Sequence, residues 1–261
     1  MSLLQAAILG VVQGLTEFLP VSSSAHLALF PWLLRWEDPG LAFDTALHLG
    51  TLAAAVGYYR GKWAEAFAQG ARSLRSPGAR FLGLLCLATV PAGLAGLFLE
   101  DAIDRFARHP PVMGANLVVF GLLLGQAARS GRRRIALEEV GLREALWIGA
   151  AQALALLPGV SRSGITITAA LFAGLTYEAA ASFSFLLAVP ITSAAALHQL
   201  AKLPPGLVGP PFWVGVAAAG VSGALAIRLL LGALGRWGVA PFVAYRVAAG
   251  AGLLALWWLR A

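Results

Sequence analysis

Gln13-Gly14-Leu15-Thr16-Glu17-Phe18-Leu19-Pro20-Val21-Ser22-Ser23-Ser24-Ala25-His26 and Leu157-Pro158-Gly159-Val160-Ser161-Arg162-Ser163-Gly164 are two polar patches set in otherwise apolar sequence. Together they hold a carboxylate, an imidazole, a guanidinium and five serines. A charged group at the centre of a membrane helix costs from about 2.5 kcal/mol upward, so such groups face a cavity or a pathway and mark a site. The surroundings are of that kind. The 261 residues are 59% hydrophobic and 12% charged, where a soluble domain is about 25% charged. The composition therefore specifies an integral membrane protein and sets aside a soluble domain.

The net charge of +7 does not point to nucleic acid, because no basic face interleaved with aromatics stands on a soluble domain. In a membrane protein such charge reports orientation. No positively charged segment precedes the first apolar run, which leads straight into the first patch, so no cleavable signal peptide is expected. The single cysteine, Cys86, excludes an internal disulfide and is expected to be a small core residue.

Outward from the patches, apolar segments of spanning length run from about Leu41 to Tyr59, Arg80 to Leu99, Pro111 to Arg129, Tyr177 to Leu200, Pro211 to Leu231 and Val239 to Leu259. These predict six transmembrane helices. The patches themselves lie in two further apolar regions, Leu3 to Trp36 and Leu142 to Leu175, each broken by Pro, Gly and Ser into halves too short to span. Non-helical backbone at that depth is tolerated only where protein or a watery cavity satisfies it. The two regions resemble each other: one gapless offset superposes Gly10 on Gly149, Gln13 on Gln152, Leu15 on Leu154, Ser22 on Ser161, Ser24 on Ser163 and Ala25 on Gly164. The expectation is an all-α integral membrane protein forming a single domain over 1–261. It would be built as an inverted repeat, about 1–130 and 140–261, with each half a re-entrant broken-helix hairpin followed by three transmembrane helices.

Arg60, Lys62, Arg72, Arg75 and Arg80, then Arg129, Arg132, Arg133, Arg134 and Arg143, and finally Arg236 fall on one face in this scheme. The positive-inside rule makes that face cytoplasmic. Arg35, Arg105, Arg108, Lys202 and Arg260, with Glu37, Asp38, Glu100, Asp101 and Asp104, fall on the other. The first hairpin would then open to the outside and the second would enter from the cytoplasm.

Gln13 and Glu17 are four apart and share a helix face. Pro20 stops that helix, and Ser22, Ser23 and Ser24 are candidate N-caps for the next. Pro158, with Ser161 or Ser163 and then Gly164, repeats the device. Two helix N-termini aimed at the centre make an anion site, and the planar fork of Arg162 suits phosphate. Glu17 and Arg162 could also be mutual counter-ions joining the hairpins, but an ion pair alone needs neither the serines nor His26. Asp44 and His48, four apart, read as helix-end polarity, His109 and His198 as interfacial, Trp257 and Trp258 as an aromatic belt, and Glu178 as a helix-start acid.

At Gly14 to Ser23 with His26, and at Pro158 to Gly164 with Thr166, the chain resembles the undecaprenyl-pyrophosphate phosphatase family of the bacitracin-resistance type. The likeness extends along essentially the whole chain and includes Leu47-His48-Leu49-Gly50-Thr51. It implies a multi-pass enzyme of the bacterial inner membrane that hydrolyses a polyprenyl diphosphate to the monophosphate and inorganic phosphate, recycling the carrier lipid of cell-wall synthesis. It also implies a divalent cation, Mg²⁺ or Ca²⁺. The family motif begins with Glu or Gln; with Gln13 here, Glu17 is the only carboxylate of the first patch.

On this basis Glu17, Ser23, His26 and Arg162 are the candidate catalytic residues. Ser22, Ser24, Ser161, Ser163, Gly164 and Thr166 are candidates for binding phosphate, and Glu17 with Gln13 for holding the cation. The nucleophile is open between Ser23, His26 and water, with Ser23 and His26 favoured as a unit. The expected partners are the lipid substrate and the bilayer, a homodimer is compatible, and no nucleic acid is expected. A transporter or flippase of a phosphate-bearing polyprenyl lipid could use the same architecture, but would not need a Ser-His-Glu group beside the arginine.

Overall fold

A computed structural model gives the chain as an assembly of helices. It describes residues 1–107, 109–130, 132–200 and 208–260, apart from the side chains of 100–107, 199–200 and 260. The helices are α1 (Leu3–Phe18), α2 (Ser23–Leu34), α3 (Leu41–Tyr58), α4 (Arg60–Arg72), α5 (Pro77–Ala107), α6 (Pro110–Ser130), α7 (Leu142–Gln152), α8 (Arg162–Phe172), α9 (Tyr177–Leu200), α10 (Pro210–Trp237) and α11 (Ala240–Arg260). Among the described residues there is no strand, only an isolated bridge between Ile135 and Leu175.

Among the described residues five helices are long and apolar enough to cross a membrane: Pro77–Leu99 within α5, α6, Tyr177–His198 within α9, α10 and Ala240–Leu259 within α11. Phe98, Leu197, Val221 and Trp258 stand exposed on them. Apolar surface on that scale belongs in lipid rather than water, and the protein is a multi-pass membrane protein. The sixth expected span does form a helix, α3, but it is not among the five. Asp44, His48 and Thr51 along its length lower its apolarity, because α3 lends a polar face to the interior.

Helix α9 is the central element, with 56% of its most apolar window buried, against 22% for α5 and 17% for α11, which are peripheral. Phe183, Phe185, Leu186 and Leu187 of α9 anchor the main core, joined by Leu85, Leu124, Ile148, Ile167 and Leu230 from α5, α6, α7, α8 and α10. The peripheral position of α5 corrects one expectation. Cys86 is exposed rather than buried, since an apolar residue on a lipid-facing helix needs no protein cover.

The local chemistry explains where the short helices begin and end. Ser2 Oγ accepts the Gln5 backbone N–H at 3.2 Å and Gln5 Oε1 accepts that of Ser2 at 2.8 Å, a capping box that starts α1. Helix α1 stops ahead of Pro20, whose ring cannot continue it. After Gln152 the chain tightens into a 3₁₀ turn, Ala153–Leu156, ahead of Pro158. Helices α2 and α8, with 12 and 11 residues, are about 16–18 Å long at the usual rise, and a full crossing needs about 30 Å.

Glycine lets these short helices sit close to long ones. A Cβ on Gly14 of α1 would lie 2.5 Å from the Ala219 carbonyl of α10, and Gly10 lies against the Gly215 carbonyl of the same helix. In α7, Gly149 lies against the Ala88 carbonyl of α5. Small residues at such crossings let backbones approach where lipid offers no hydrophobic drive.

The segment around Arg60, Lys62 and Arg72, which the sequence places between two expected spans, is helix α4. It packs Ala66 inward, leaves Phe67 exposed, and pairs Lys62 with Glu138 at 2.9 Å. Of the charges assigned to the opposite face, Arg108 and Lys202 lie outside the described residues, as do the side chains of Glu100, Asp101, Asp104, Arg105 and Arg260.

The glycine contacts give a direct test. Gly14→Val places two methyl groups into the α1–α10 crossing and is expected to lower stability by about 1–3 kcal/mol, read as a fall in melting temperature in detergent. An unchanged melting temperature would show that the crossing has slack.

Candidate active site

Two tight turns face each other at the centre of the protein. In the first, Leu19 leaves the helical region and Ser22, at the N-cap of α2, takes φ 77° and ψ 93°. In the second, Ser161, at the N-cap of α8, takes φ 71° and ψ 116°. Non-glycine residues rarely adopt positive φ, and such strain persists only where the surroundings hold it. Ser161 Oγ accepts the Gly164 N–H at 3.1 Å and so caps α8, whereas Ser22 makes no side-chain cap. Among the described residues no side chain therefore caps the first-turn N–H groups of α2.

Glu17, at the end of α1, is the hub. Its Oε1 accepts Arg162 Nη2 at 2.8 Å from α8, and Arg162 Nη1 donates to the Ser184 carbonyl at 3.0 Å. Its Oε2 accepts Ser23 Oγ at 2.6 Å and Gln13 Nε2 at 3.2 Å, and His48 Nε2 of α3 lies 3.5 Å away. The carboxylate and the guanidinium are both largely buried, with 7% and 14% of their side-chain surface exposed. Short hydrogen bonds to an ionised group are the strong ones, so Glu17 fixes the positions of Arg162 and Ser23 together.

The other residues expected from the sequence surround this hub. Ser163 Oγ donates to the Leu19 carbonyl at 3.1 Å and lies 3.3 Å from Ser161 Oγ, tying the second turn to the first. Ser22 Oγ and Ser24 Oγ are 3.2 Å apart, and Ser24 is exposed. Thr166 Oγ1 is 2.7 Å from Ser184 Oγ and donates to the Arg162 carbonyl at 2.8 Å. A narrow cleft between α3 and α9 reaches Glu17 and Arg162 past Thr51, Leu52 and Thr192. It is no larger than about one water molecule.

The hydrogen bonds of His26 go to groups other than Ser23, with which it was expected to act as a unit. Its Nδ1 is 2.7 Å from the Ser22 carbonyl, which can only accept, so Nδ1 carries the hydrogen. Its Nε2, 2.6 Å from Tyr245 Oη, then accepts the phenol O–H. With both nitrogens engaged, His26 braces the first turn against α11, and the hydroxyl of Ser23 belongs to Glu17.

Sequence reasoning missed three participants. His48, read as helix-end polarity, is held by Nδ1 at 2.8 Å from the Asp44 carbonyl and turns Nε2 toward Glu17. Tyr245 pairs with His26. Arg246, the next residue, is fully buried and donates to backbone carbonyls of both turns. An arginine in the middle of a predicted span was the signal available for it. For His48 the family-like segment Leu47 to Thr51 was the signal available, whereas the contact of Tyr245 with His26 is non-local and left none.

The model of the family described as bacitracin resistance protein BacA matches residues 6–252. Proteins named undecaprenyl-diphosphatase are similar along their whole length. The one from Moorella thermoacetica is 46% identical over 260 residues, covering 100% of both chains. That of Geobacter sulfurreducens is 47% identical over 265 residues, covering 98% of each. That of Thermomicrobium roseum is 46% identical over 275 residues, covering 97% of this chain and 98% of its own.

The bracing of His26 is open to test without touching the hub. Tyr245→Phe keeps the stacked ring but removes the donor to Nε2, so stability should fall by about 0.5–1.5 kcal/mol, the net worth of one hydrogen bond. The imidazole ¹⁵N resonance of Nε2 should shift with it. An unmoved resonance would show that the phenol does not hold His26.

Proposed function

The chain belongs to the bacitracin resistance protein BacA family, and on that premise we propose that it is a phosphatase of the bacterial inner membrane. It hydrolyses undecaprenyl diphosphate, or a related polyprenyl diphosphate, to the monophosphate and inorganic phosphate, returning carrier lipid to cell-wall synthesis. The names of the full-length relatives support the substrate. The observation that carries the chemistry is the contact of Ser23 with Glu17, 2.6 Å apart, on a carboxylate that also holds Arg162.

In this proposal Ser23 Oγ attacks the terminal phosphorus and gives its proton to Glu17, while the bond to the bridging oxygen breaks and the polyprenyl monophosphate departs with that oxygen. Glu17 passes that proton to the departing monophosphate. Water then attacks the serine-bound phosphoryl group, giving a proton to the regenerated carboxylate, which returns it to Ser23 Oγ as the Oγ–P bond breaks and inorganic phosphate leaves. Arg162 and the uncapped N–H groups of α2 carry the phosphate charge, where most of the catalysis of phosphoryl transfer resides.

A divalent cation fits the donor set in one way. The Gln13 amide turns its nitrogen to Glu17 and leaves Oε1 buried with no hydrogen-bond partner. Among the described residues no cluster of three or more His, Cys, Asp or Glu could hold a metal. One carboxylate and one amide oxygen suit Mg²⁺, which takes its remaining ligands from water and substrate phosphates. Glu17 would hold such an ion, joined by Gln13 once its amide turns Oε1 toward the carboxylate, and the ion when bound would neutralise charge on the diphosphate.

The proposal includes an inverted repeat, about 1–130 and 140–261, with α1–α2 and α7–α8 as re-entrant hairpins. Several features support it. The superposable Ser22 and Ser161 share an unusual conformation. Helix α2 begins at Ser23 and α8 at Arg162, each the next residue. The superposable Gly10 and Gly149 each pack on a long helix of the other half. The loop charges favour an active site open to the outside.

Two measurements check this. Purified wild-type protein should release inorganic phosphate from a polyprenyl diphosphate, and Arg162→Lys, which keeps charge but loses the fork, should be at least about tenfold slower; near-normal turnover would remove the fork from the transition state. Separately, a cysteine at the exposed Ser24 in a Cys86→Ala background should be labelled in intact cells by a membrane-impermeant thiol reagent. Labelling only after the inner face is opened would reverse the orientation.

A further inference from the structure

We propose that Arg246 is a positioning residue for this hydrolysis, a proposal that rests on the phosphatase reading. From α11 it pins the backbone of both turns, so that Ser23 and Arg162 meet on Glu17. Its side chain has no exposed surface, which removes it from contact with substrate. Its guanidinium donates from Nη1 to the Pro20 carbonyl at 3.2 Å, and from Nη2 to those of Gly159 and Val160 at 3.0 Å each. Nε reaches the Leu117 carbonyl at 3.3 Å, and Nη2 that of Asn116 at 3.4 Å, both on α6. Among the described residues no carboxylate pairs with it.

Burying a charge without a counter-ion is costly, and packing alone would be served by an apolar residue. The acceptors show what the charge does. Pro20 lies two residues before Ser22, and Gly159 and Val160 immediately precede Ser161. These are the peptides that must be held for the two serines to keep positive φ. Only the guanidinium, with five N–H donors in a flat fork, reaches carbonyls from three separate segments at once; a lysine ammonium cannot.

The surroundings are shaped for this group. A Cβ on Gly164 would lie 2.7 Å from Arg246 Nη1, and one on Gly121 of α6 would lie 2.9 Å from Arg246 Cβ. Asn116 adds a second hold, donating from Nδ2 to the Pro158 carbonyl at 2.8 Å. Since Ser23 and Arg162 directly follow the strained serines, a small rotation of either turn moves its side chain away from Glu17.

The experiment compares kcat, KM and melting temperature of wild type, Arg246→Lys and Gly121→Ala on a polyprenyl diphosphate in detergent. Gly121→Ala displaces the arginine stem from behind and leaves every site residue intact. Misplacement by about an ångström is worth about 100-fold. Folded Arg246→Lys should therefore lose about 100-fold in kcat, with KM changed by less than about threefold. Gly121→Ala should lose about tenfold in kcat at a near-normal melting temperature. If Arg246→Lys does not fold, Gly121→Ala decides. A folded variant of either kind with kcat within about threefold of wild type would make Arg246 a structural staple only. Absence of phosphate release by the wild type would overturn the phosphatase reading, and the role of Arg246 with it.

Discussion

The ion pair between Glu17 and Arg162 is the constraint on which the rest of the centre depends, because it joins residues 145 positions apart at the ends of two short helices. A buried pair repays its desolvation only if the remaining lone pairs and protons are also satisfied. Here they are: Ser23 and Gln13 donate to the second carboxylate oxygen, and the Ser184 carbonyl takes another guanidinium N–H. Breaking such a pair from one side costs about 3–5 kcal/mol, so the carboxylate that orients the serine also holds the hairpins together. In the proposed mechanism a phosphate arriving at Arg162 would compete with Glu17, which would couple binding to release of that carboxylate for proton transfer.

Charge at the centre is unbalanced. Glu17 is one carboxylate, while Arg162 and Arg246 are two guanidinium groups, with Arg246 Nη1 close behind Gly164 at the start of α8. Helix N-termini add partial positive charge in the same place. In low-dielectric surroundings this field persists over longer distances than in water. The centre is therefore prepared for a multiply charged anion, and the neutral backbone carbonyls around Arg246 hold the second charge without cancelling it.

Much of this was legible in the sequence, and the parts that were not have physical causes. The long helices showed because apolar runs of spanning length have few other uses, and the two turns showed because Pro, Gly and Ser interrupt such runs. Helix α4 did not, since an amphipathic basic segment of 13 residues reads the same as a charged loop. The exposure of Cys86 was hidden because apolar sequence cannot distinguish a protein core from lipid. The pairing of Ser23 with Glu17 rather than His26 depends on turn geometry, which residue types do not encode. Tyr245 meets His26 across 219 positions, a contact no local pattern announces.

The two turns share a conformation and differ in what they present. Ser22 and Ser161 each bend the chain at positive φ and launch a short helix. The first residue of that helix is Ser23 in one case and Arg162 in the other. The strained serine thus aims whatever follows it at the centre, whether a hydroxyl or a guanidinium. Both reach the same carboxylate, one on each oxygen. Only where two such turns meet can a single Glu hold the Ser23 hydroxyl and the Arg162 guanidinium at once, so neither turn alone contains the pair that the proposed chemistry uses.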